Sequence, residues 1–469
     1  MIRDYNATRD QIVGGNSITK LKSVDDKTEF LLTSSIPKIL WKLATPNVVG
    51  VSVMTTVTFF DAWFVGHLGN AALASLALVF PFQALMQMMA GGAIGGGITS
   101  AVARAKGVGN NNLAKTIAFN GLLIGIFMSL LYMITLGVFS IHIFNLLSDS
   151  KDVINDAVKY AKVAFGGAIL TWMFFVFSSI LRGLGDTYTP AKAIIIAGLI
   201  QIILSGLFTL GLVDIVNLGV TGPATAMIIS HTLAAFFLLP KIIGSNSLLK
   251  YQDCALDWRA IYQILKVGGL GLVNSTTIAL TIVMVTSFVA DFGVNALAGY
   301  GLGSRLELML VPLSFGVGAA LTAAVGTNIG ANQYRRARSI AKAGAFITFF
   351  ITGILGCLVA LMPWLWLDFF IAHGSAVVFA SSYLTIVSPF YGFFVGGMTL
   401  YFASQGTGNM VLPVLVNITR LFIVSVICIL VAVLQLDVIW LFCGVGIGLL
   451  VTGVGQFLCL YSSPWKKAF

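Results

Sequence analysis

Few side chains in this sequence can hold or move charge inside a long apolar run, and an ionisable group placed there is costly enough to imply a function. Asp61 lies five residues before the outer end of the apolar stretch 37–66, about 8 Å deep at roughly 1.5 Å per helical residue. A carboxyl withdrawn from water at that depth can exchange a proton near neutral pH or ligate a sodium ion; alternatively, it snorkels outward or bonds to neighbouring helix ends. Pro46, about four helical turns earlier in the same stretch, removes a backbone hydrogen bond and permits a kink, static or moving. His231 falls about 12 residues into the stretch 219–241, where it either shares a proton load or packs as a neutral hydrogen-bonded ring. Arg305 and Glu307 enter the stretch 295–327 by ten to twelve residues, and Arg420 enters 411–434 by about nine from the opposite side. All three reach similar depth, so an Arg420–Glu307 pair is within reach. Arg305 and Glu307, two apart, point to different helix faces. Glu307 would attract a cationic substrate or relay protons; equally, the cluster fixes helix packing, since buried pairs need not stabilise.

The elements that must position these groups are membrane helices. Of 469 residues, 58% are apolar and 9% charged, with mean hydropathy +0.96. That leaves too little polar surface to face water everywhere. The alternation of a membrane barrel is missing, so helices must satisfy the backbone in lipid. Twelve spans are expected, near 37–66, 72–103, 113–143, 154–181, 189–212, 219–241, 259–290, 295–327, 337–362, 376–403, 411–434 and 438–461.

The net charge of +10 is sorted by loop. Arg104, Lys106, Lys115, Arg182, Lys192, Lys241, Lys250, Arg259, Arg335, Arg336, Arg338, Lys466 and Lys467 fall on one side. Asp149, Asp152, Asp156, Asp214, Asp291, Asp368 and Asp437 fall on the other. By the positive-inside rule both termini are cytoplasmic, in the inner membrane, as an even number of spans also requires. The basic excess is thus a topology signal and not a nucleic-acid surface. Five scattered cysteines show no metal or redox spacing, and the polar first 35 residues lack the apolar core of a signal peptide. They are expected to form a partly disordered cytoplasmic tail.

The chain repeats itself. LGNAALA at Leu68–Ala74 recurs as FGVNALA at Phe292–Ala298, a numbering offset of 224. GVGNNNLAK from Gly107 matches GANQYRRAR from Gly330, and RGLGDTYTP from Arg182 matches QGTGNMVLP from Gln405, both at 223. A unit of six spans gives two lobes of the same membrane orientation around a cleft. The expected division is a tail 1–35, a lobe 36–243, a linker 244–258, a second lobe 259–462 and a tail 463–469. Gly91, Gly92, Gly95, Gly96 and Gly97 at small-residue spacing let helix backbones approach, which is a packing role first.

These landmarks resemble the multidrug and toxic compound extrusion family over about residues 37–461. The likeness is carried by DAWFVGHLGNAALA (Asp61–Ala74), ARAKG (Ala103–Gly107), LRGLGDTYTP (Leu181–Pro190) and the Gly303–Ala331 segment. It is nearer the prokaryotic DinF-like branch than the NorM-like one, whose seventh-span acid has no counterpart between Lys266 and Val289. The resemblance implies a twelve-helix antiporter exporting cationic or amphiphilic compounds against protons or sodium. It also implies that Asp61 is the coupling acid, with bending at Pro46 tied to its protonation. DinF-like members carry Asn and Asp eleven and fifteen residues after the proline of the RGxGDTxTP segment; here Gln201 and Ser205 stand there. With that second carboxylate absent, proton coupling is favoured and sodium stays open.

The expected protein is therefore a secondary-active exporter, not an enzyme. It needs no cofactor and no metal beyond the coupling ion, works as a monomer, and has small molecules and the bilayer as its partners. No GxxxxGK[ST] segment is present for nucleotide-driven pumping, and no HExxH-like set supports a membrane enzyme. The 34 Phe and 14 Met suit a cavity for flat cations or simply face lipid. A flippase for a lipid-linked sugar, on a similar two-lobed fold, is the alternative.

Overall fold

The computed structural model describes residues 26–147, 150–211, 217–243, 255–369 and 374–466. Most of the expected tail, most of the linker, and the loop residues Asp149, Asp214, Lys250 and Lys467 lie outside the described residues. Among those described there are helices and turns and no strand. Eleven helices are long and apolar enough to cross a membrane; a bent pair, Lys151–Gly166 with Ala168–Gly183 at 46°, makes a twelfth.

In order the spans are Ile36–Gly66, Asn70–Gly107, Asn111–Val138, the bent pair, Tyr188–Leu210, Gly219–Ile243, Trp258–Ala290, Val294–Gly330, Tyr334–Leu361, Ser375–Thr407, Val411–Val433 and Val438–Cys459. The second span does not run straight. It passes through a π-helical turn at Met88–Ile94, where the expected glycine stretch lies, and a second π turn ends the third span at Met133–Val138.

The internal repeat is written into the backbone. Left-handed φ angles at Gly69 (115°), Gly109 (77°), Gly185 (79°) and Gly211 (63°) recur at Gly293 (96°), Asn332 (60°), Gly408 (79°) and Gln435 (50°). The separations are 224, 223, 223 and 224, the same spacing as the sequence landmarks. Each marks a helix end, where a residue tolerant of positive φ lets the chain reverse.

Two apolar cores correspond to the two halves, one running from Val65 to Ile264 and one from Val267 to Leu449. The seventh span begins in the first core, with Ala260 and Ile264, and continues into the second through Val267, Val285 and Val289. A third core mixes Leu31, Ile39, Leu40 and Leu43 with Val317, Leu321, Ala337 and Leu460. The N-terminal half of the first span therefore packs on the second lobe.

The lobes meet at the end that carries the described termini, and they meet backbone to backbone. A Cβ on Gly97 would lie 2.5 Å from the Ile264 carbonyl oxygen, and one on Gly107 would lie 2.1 Å from that of Thr327. Gly97 thus serves the packing role its spacing suggested, and Gly107 does the same although it lies outside that stretch.

The expected tail departs from the structure in one respect. Asp26–Thr33 is a helix, with Thr28 and Leu31 buried. Phe30, Leu31 and Leu32 give it an apolar side that a freely solvated tail would leave in water.

Candidate functional site

Asp61 sits on the first span and is 7% exposed. Gln201 and Ser205, one helical turn apart on the fifth span, both reach it. Gln201 Nε2 donates to Asp61 Oδ2 at 3.0 Å, and Ser205 Oγ donates to Asp61 Oδ1 at 2.6 Å. The two helices come this close because small residues flank the site. A Cβ at Gly198 would lie 2.5 Å from Val53 Cγ1, and one at Gly206 would lie 2.8 Å from Phe64 Cζ. Among the described residues each carboxylate oxygen thus has one neutral donor and no cationic partner, which suits a carboxyl that alternates between charged and neutral forms.

The contacts run further into the first lobe. Ser230 Oγ, on the sixth span, donates to Gln201 Oε1 at 3.4 Å. One turn away, Gln83 Nε2 donates to Met227 Sδ at 3.1 Å, and Tyr160 Oη donates to Gln83 Oε1 at 2.9 Å. Sequence reasoning does not single out Gln83, Tyr160 or Ser230. A signal for Gln83 exists nonetheless: it is a polar residue in an apolar span, and its repeat partner at an offset of 224 is Glu307.

His231 is not part of the Asp61 contacts. It is fully buried; its Nδ1 pairs with Thr171 Oγ1 at 3.1 Å and its ring stacks on Phe174 with centroids 5.1 Å apart. Pro46 lies within the continuous helix Ile36–Gly66, two residues from Val48. A Cβ on Gly316 of the eighth span would lie 2.8 Å from Val48 Cα. The helix that carries Asp61 therefore touches the second lobe just beyond its proline.

In the second lobe the pairing that depth put within reach is not a direct contact. Among the described residues no ion pair joins Arg420 to Glu307. Tyr383 Oη donates to Glu307 Oε2 at 2.8 Å instead. The Arg420 guanidinium sits 5.5 Å from the centre of the Phe394 ring, and among the described residues its Nη1 has no hydrogen-bond partner. Each instead meets the tenth span, Glu307 through Tyr383 and Arg420 through Phe394. Arg305 lies on an exposed part of the eighth span. Glu307 lines a cavity of about 310 Å³ together with Thr286, Tyr300 and Ser304.

Known proteins share this architecture. The MatE family model matches residues 46–207 and 271–431. A Thermotoga maritima protein described as "Probable multidrug resistance protein NorM" is 24% identical over 446 residues, covering 93% of this chain and 96% of the relative. A Bacillus subtilis protein described as "Probable multidrug resistance protein YoeA" is 24% identical over 365 residues, covering 76% and 78%. A Shewanella oneidensis protein described as "FAD transporter" is 27% identical over 315 residues, covering 66% and 68%. In fold, the chain matches a crystal structure of a MATE protein in the straight conformation with TM-score 0.84, at 22% identity and 94% and 97% coverage. A MOP superfamily transporter from Pyrococcus furiosus matches with the same values.

Proposed function

This chain belongs to the MatE family of multidrug efflux transporters, and on that premise we propose that it exports cationic or amphiphilic compounds in exchange for protons, with Asp61 as the coupling group. The observation that carries the reading is the buried carboxylate held, among the described residues, by Gln201 and Ser205. Sodium would want several hard oxygens and more than one charge; here one carboxylate faces two donors, an arrangement better matched to gain and loss of a proton.

The lobes, 36–243 and 259–462, would alternate about their seam in the inner membrane with both termini cytoplasmic. The Lys/Arg asymmetry of the loops supports that orientation. In it, the seam at Gly97 and Gly107 closes the cytoplasmic side. The first span links the two events, because it holds Asp61 near one end and, past Pro46, packs on the second lobe. A proton arriving at Asp61 changes what Gln201 and Ser205 can bond, and the bias travels along that helix to the seam. Substrate and proton then compete for the same conformational equilibrium.

Glu307 and its cavity are the second part of the reading, as a place where a cationic substrate would be attracted. His231 would serve as a packing residue, Arg305 and Arg420 as charges tuning the second lobe, and the monomer as the working unit. The relatives are named for multidrug resistance, multidrug export and FAD transport. These names favour export of small molecules over movement of a lipid-linked sugar.

The test is ethidium accumulation in efflux-deficient bacteria expressing wild type or Asp61→Asn at matched membrane levels. Wild type should lower accumulation, the variant should not, and an uncoupler should abolish the difference. Wild-type cells that accumulate as much dye as empty-vector cells would remove dye efflux from the reading. Export that survives Asp61→Asn would remove Asp61 as the coupling group.

A further inference from the structure

The short helix Asp26–Thr33 is attached to both lobes. On the first lobe, Lys27 Nζ pairs with Asp186 Oδ2 at 2.8 Å. Asp186 lies in the turn between the fourth and fifth spans and is fixed there by Thr189, whose backbone N donates to Oδ1 and whose Oγ1 donates to Oδ2, both at 3.0 Å. On the second lobe, Asn328 Nδ2 donates to the Leu31 carbonyl at 3.1 Å, and Arg336 Nη2 donates to the Ser34 carbonyl. Asn328 is fully buried.

These attachments cross the seam through which the lobes are joined. Beside them, Ser100 Oγ donates to the Gln405 carbonyl and Arg104 Nη1 donates to the Gly406 carbonyl at 3.4 Å. The lobes cannot part at this end while both attachments of the helix hold.

We propose that Asp26–Thr33 is a strap that holds the lobes closed at the end carrying the termini, and that its Lys27–Asp186 attachment releases in every transport cycle. The two ends differ in strength. Lys27 is half exposed and its partner 13% exposed, and such pairs contribute little because water and salt screen them. Leu31, 1% exposed, touches the Gly185 turn on one side, but it clusters mainly with the N-terminal half of the first span and the second lobe, and the carbonyls of Leu31 and Ser34 accept from a buried amide and a guanidinium. The strap, with the N-terminal half of the first span into which it runs, therefore stays with the second lobe and lets go of the turn that carries Asp186.

Two stapled variants of the full chain separate these ends. Lys27→Cys with Asp186→Cys, joined by a reducible bifunctional thiol reagent, should lose efflux completely and regain it on reduction. Ser34→Cys with Arg336→Cys, joined the same way, should transport as well stapled as unstapled. Wild type treated with the reagent controls for its own cysteines, including the exposed Cys357. Continued efflux with the 27–186 staple complete would overturn the proposal, as would loss confined to the 34–336 staple.

A second measurement needs no substrate, so it separates failure of the strap from failure of the efflux reading. Backbone hydrogen exchange over residues 26–34 should be slow in wild type and faster in Asp186→Asn by up to about fivefold, the factor equivalent to about 1 kcal/mol for a partly exposed pair. Unchanged exchange would overturn the strap even in a protein that exports dye.

Discussion

Tyr383 donates a 2.8 Å hydrogen bond to Glu307 in the second lobe, at the place where the repeat puts Tyr160 donating to Gln83 at 2.9 Å in the first. The two tyrosines are offset by 223 in the numbering, and their acceptors by 224. One tyrosine-to-side-chain contact is thus built twice, with an amide acceptor in one lobe and a carboxyl in the other. The first lobe carries its own carboxyl elsewhere, at Asp61, whose counterpart at an offset of 224 is Val285. The halves share a frame and place their acids on different helices.

That asymmetry gives the first expectation. Glu307→Gln makes the second lobe like the first and should keep the fold, since an amide already occupies the equivalent contact. Replacing the carboxyl that a cationic substrate would face should lower efflux of cationic dyes by about tenfold, the worth of roughly 1.4 kcal/mol. Efflux of a neutral amphiphile, measured in the same cells, should change little. Equal loss for both substrates would argue for a structural role.

Ser205→Ala removes one of the two donors to Asp61. A hydrogen bond to a charged group contributes about 1.5–3 kcal/mol, so efflux driven by an imposed pH gradient in vesicles should fall by about tenfold or more. Ser205→Thr keeps the hydroxyl and should recover most of it. Gln201→Ala should act in the same direction, and the double variant should lose less than the sum because both donors serve one carboxylate.

At the seam, Gly107→Ala cannot be accommodated in the closed form, because the new Cβ would meet the Thr327 carbonyl oxygen at 2.1 Å and Gly330 Cα at 3.0 Å. Both are backbone atoms that cannot swing aside, and overpacking of this kind costs about 1–3 kcal/mol. A cysteine at Ala103, buried in the seam, should then react faster with a thiol reagent than it does beside Gly107. Gly269→Ala, with nothing within 4 Å of its Cβ, should leave that rate unchanged.

Asp186 titrates outside the spans. Burial pushes its carboxyl up, but the hydrogen bonds from Lys27 and Thr189 outweigh burial and hold it below the ordinary carboxylate range. A group depressed in the folded state adds stability above its unfolded value, near about 4, and loses it as pH falls through its folded value. Asp186→Asn should therefore lower thermal stability at pH 7, by less than about 1 kcal/mol given the half-exposed lysine. The difference should shrink as the melting medium is acidified below pH 4. A difference that persists in acid would assign the effect to packing.

By itself the sequence determined the membrane class, the twelve spans, the six-span repeat and the position of Asp61. Those features are local or periodic: a run of apolar residues, a landmark recurring at 223 or 224, a carboxyl where hydrocarbon is expected. The family resemblance singled out Gln201 and Ser205, and helical rise, which converts residue counts into distance, put both within reach of Asp61.

What only the tertiary structure decided was which polar groups meet. Glu307 and Arg420 lie at one depth, yet Tyr383 takes the carboxyl and Phe394 faces the guanidinium. Depth is one coordinate; azimuth around each helix and the tilt between helices are set by packing of whole faces, which no local spacing encodes. The same holds for Asp26–Thr33, whose few apolar residues gain meaning only beside Asp186, Asn328 and Arg336 from two different lobes.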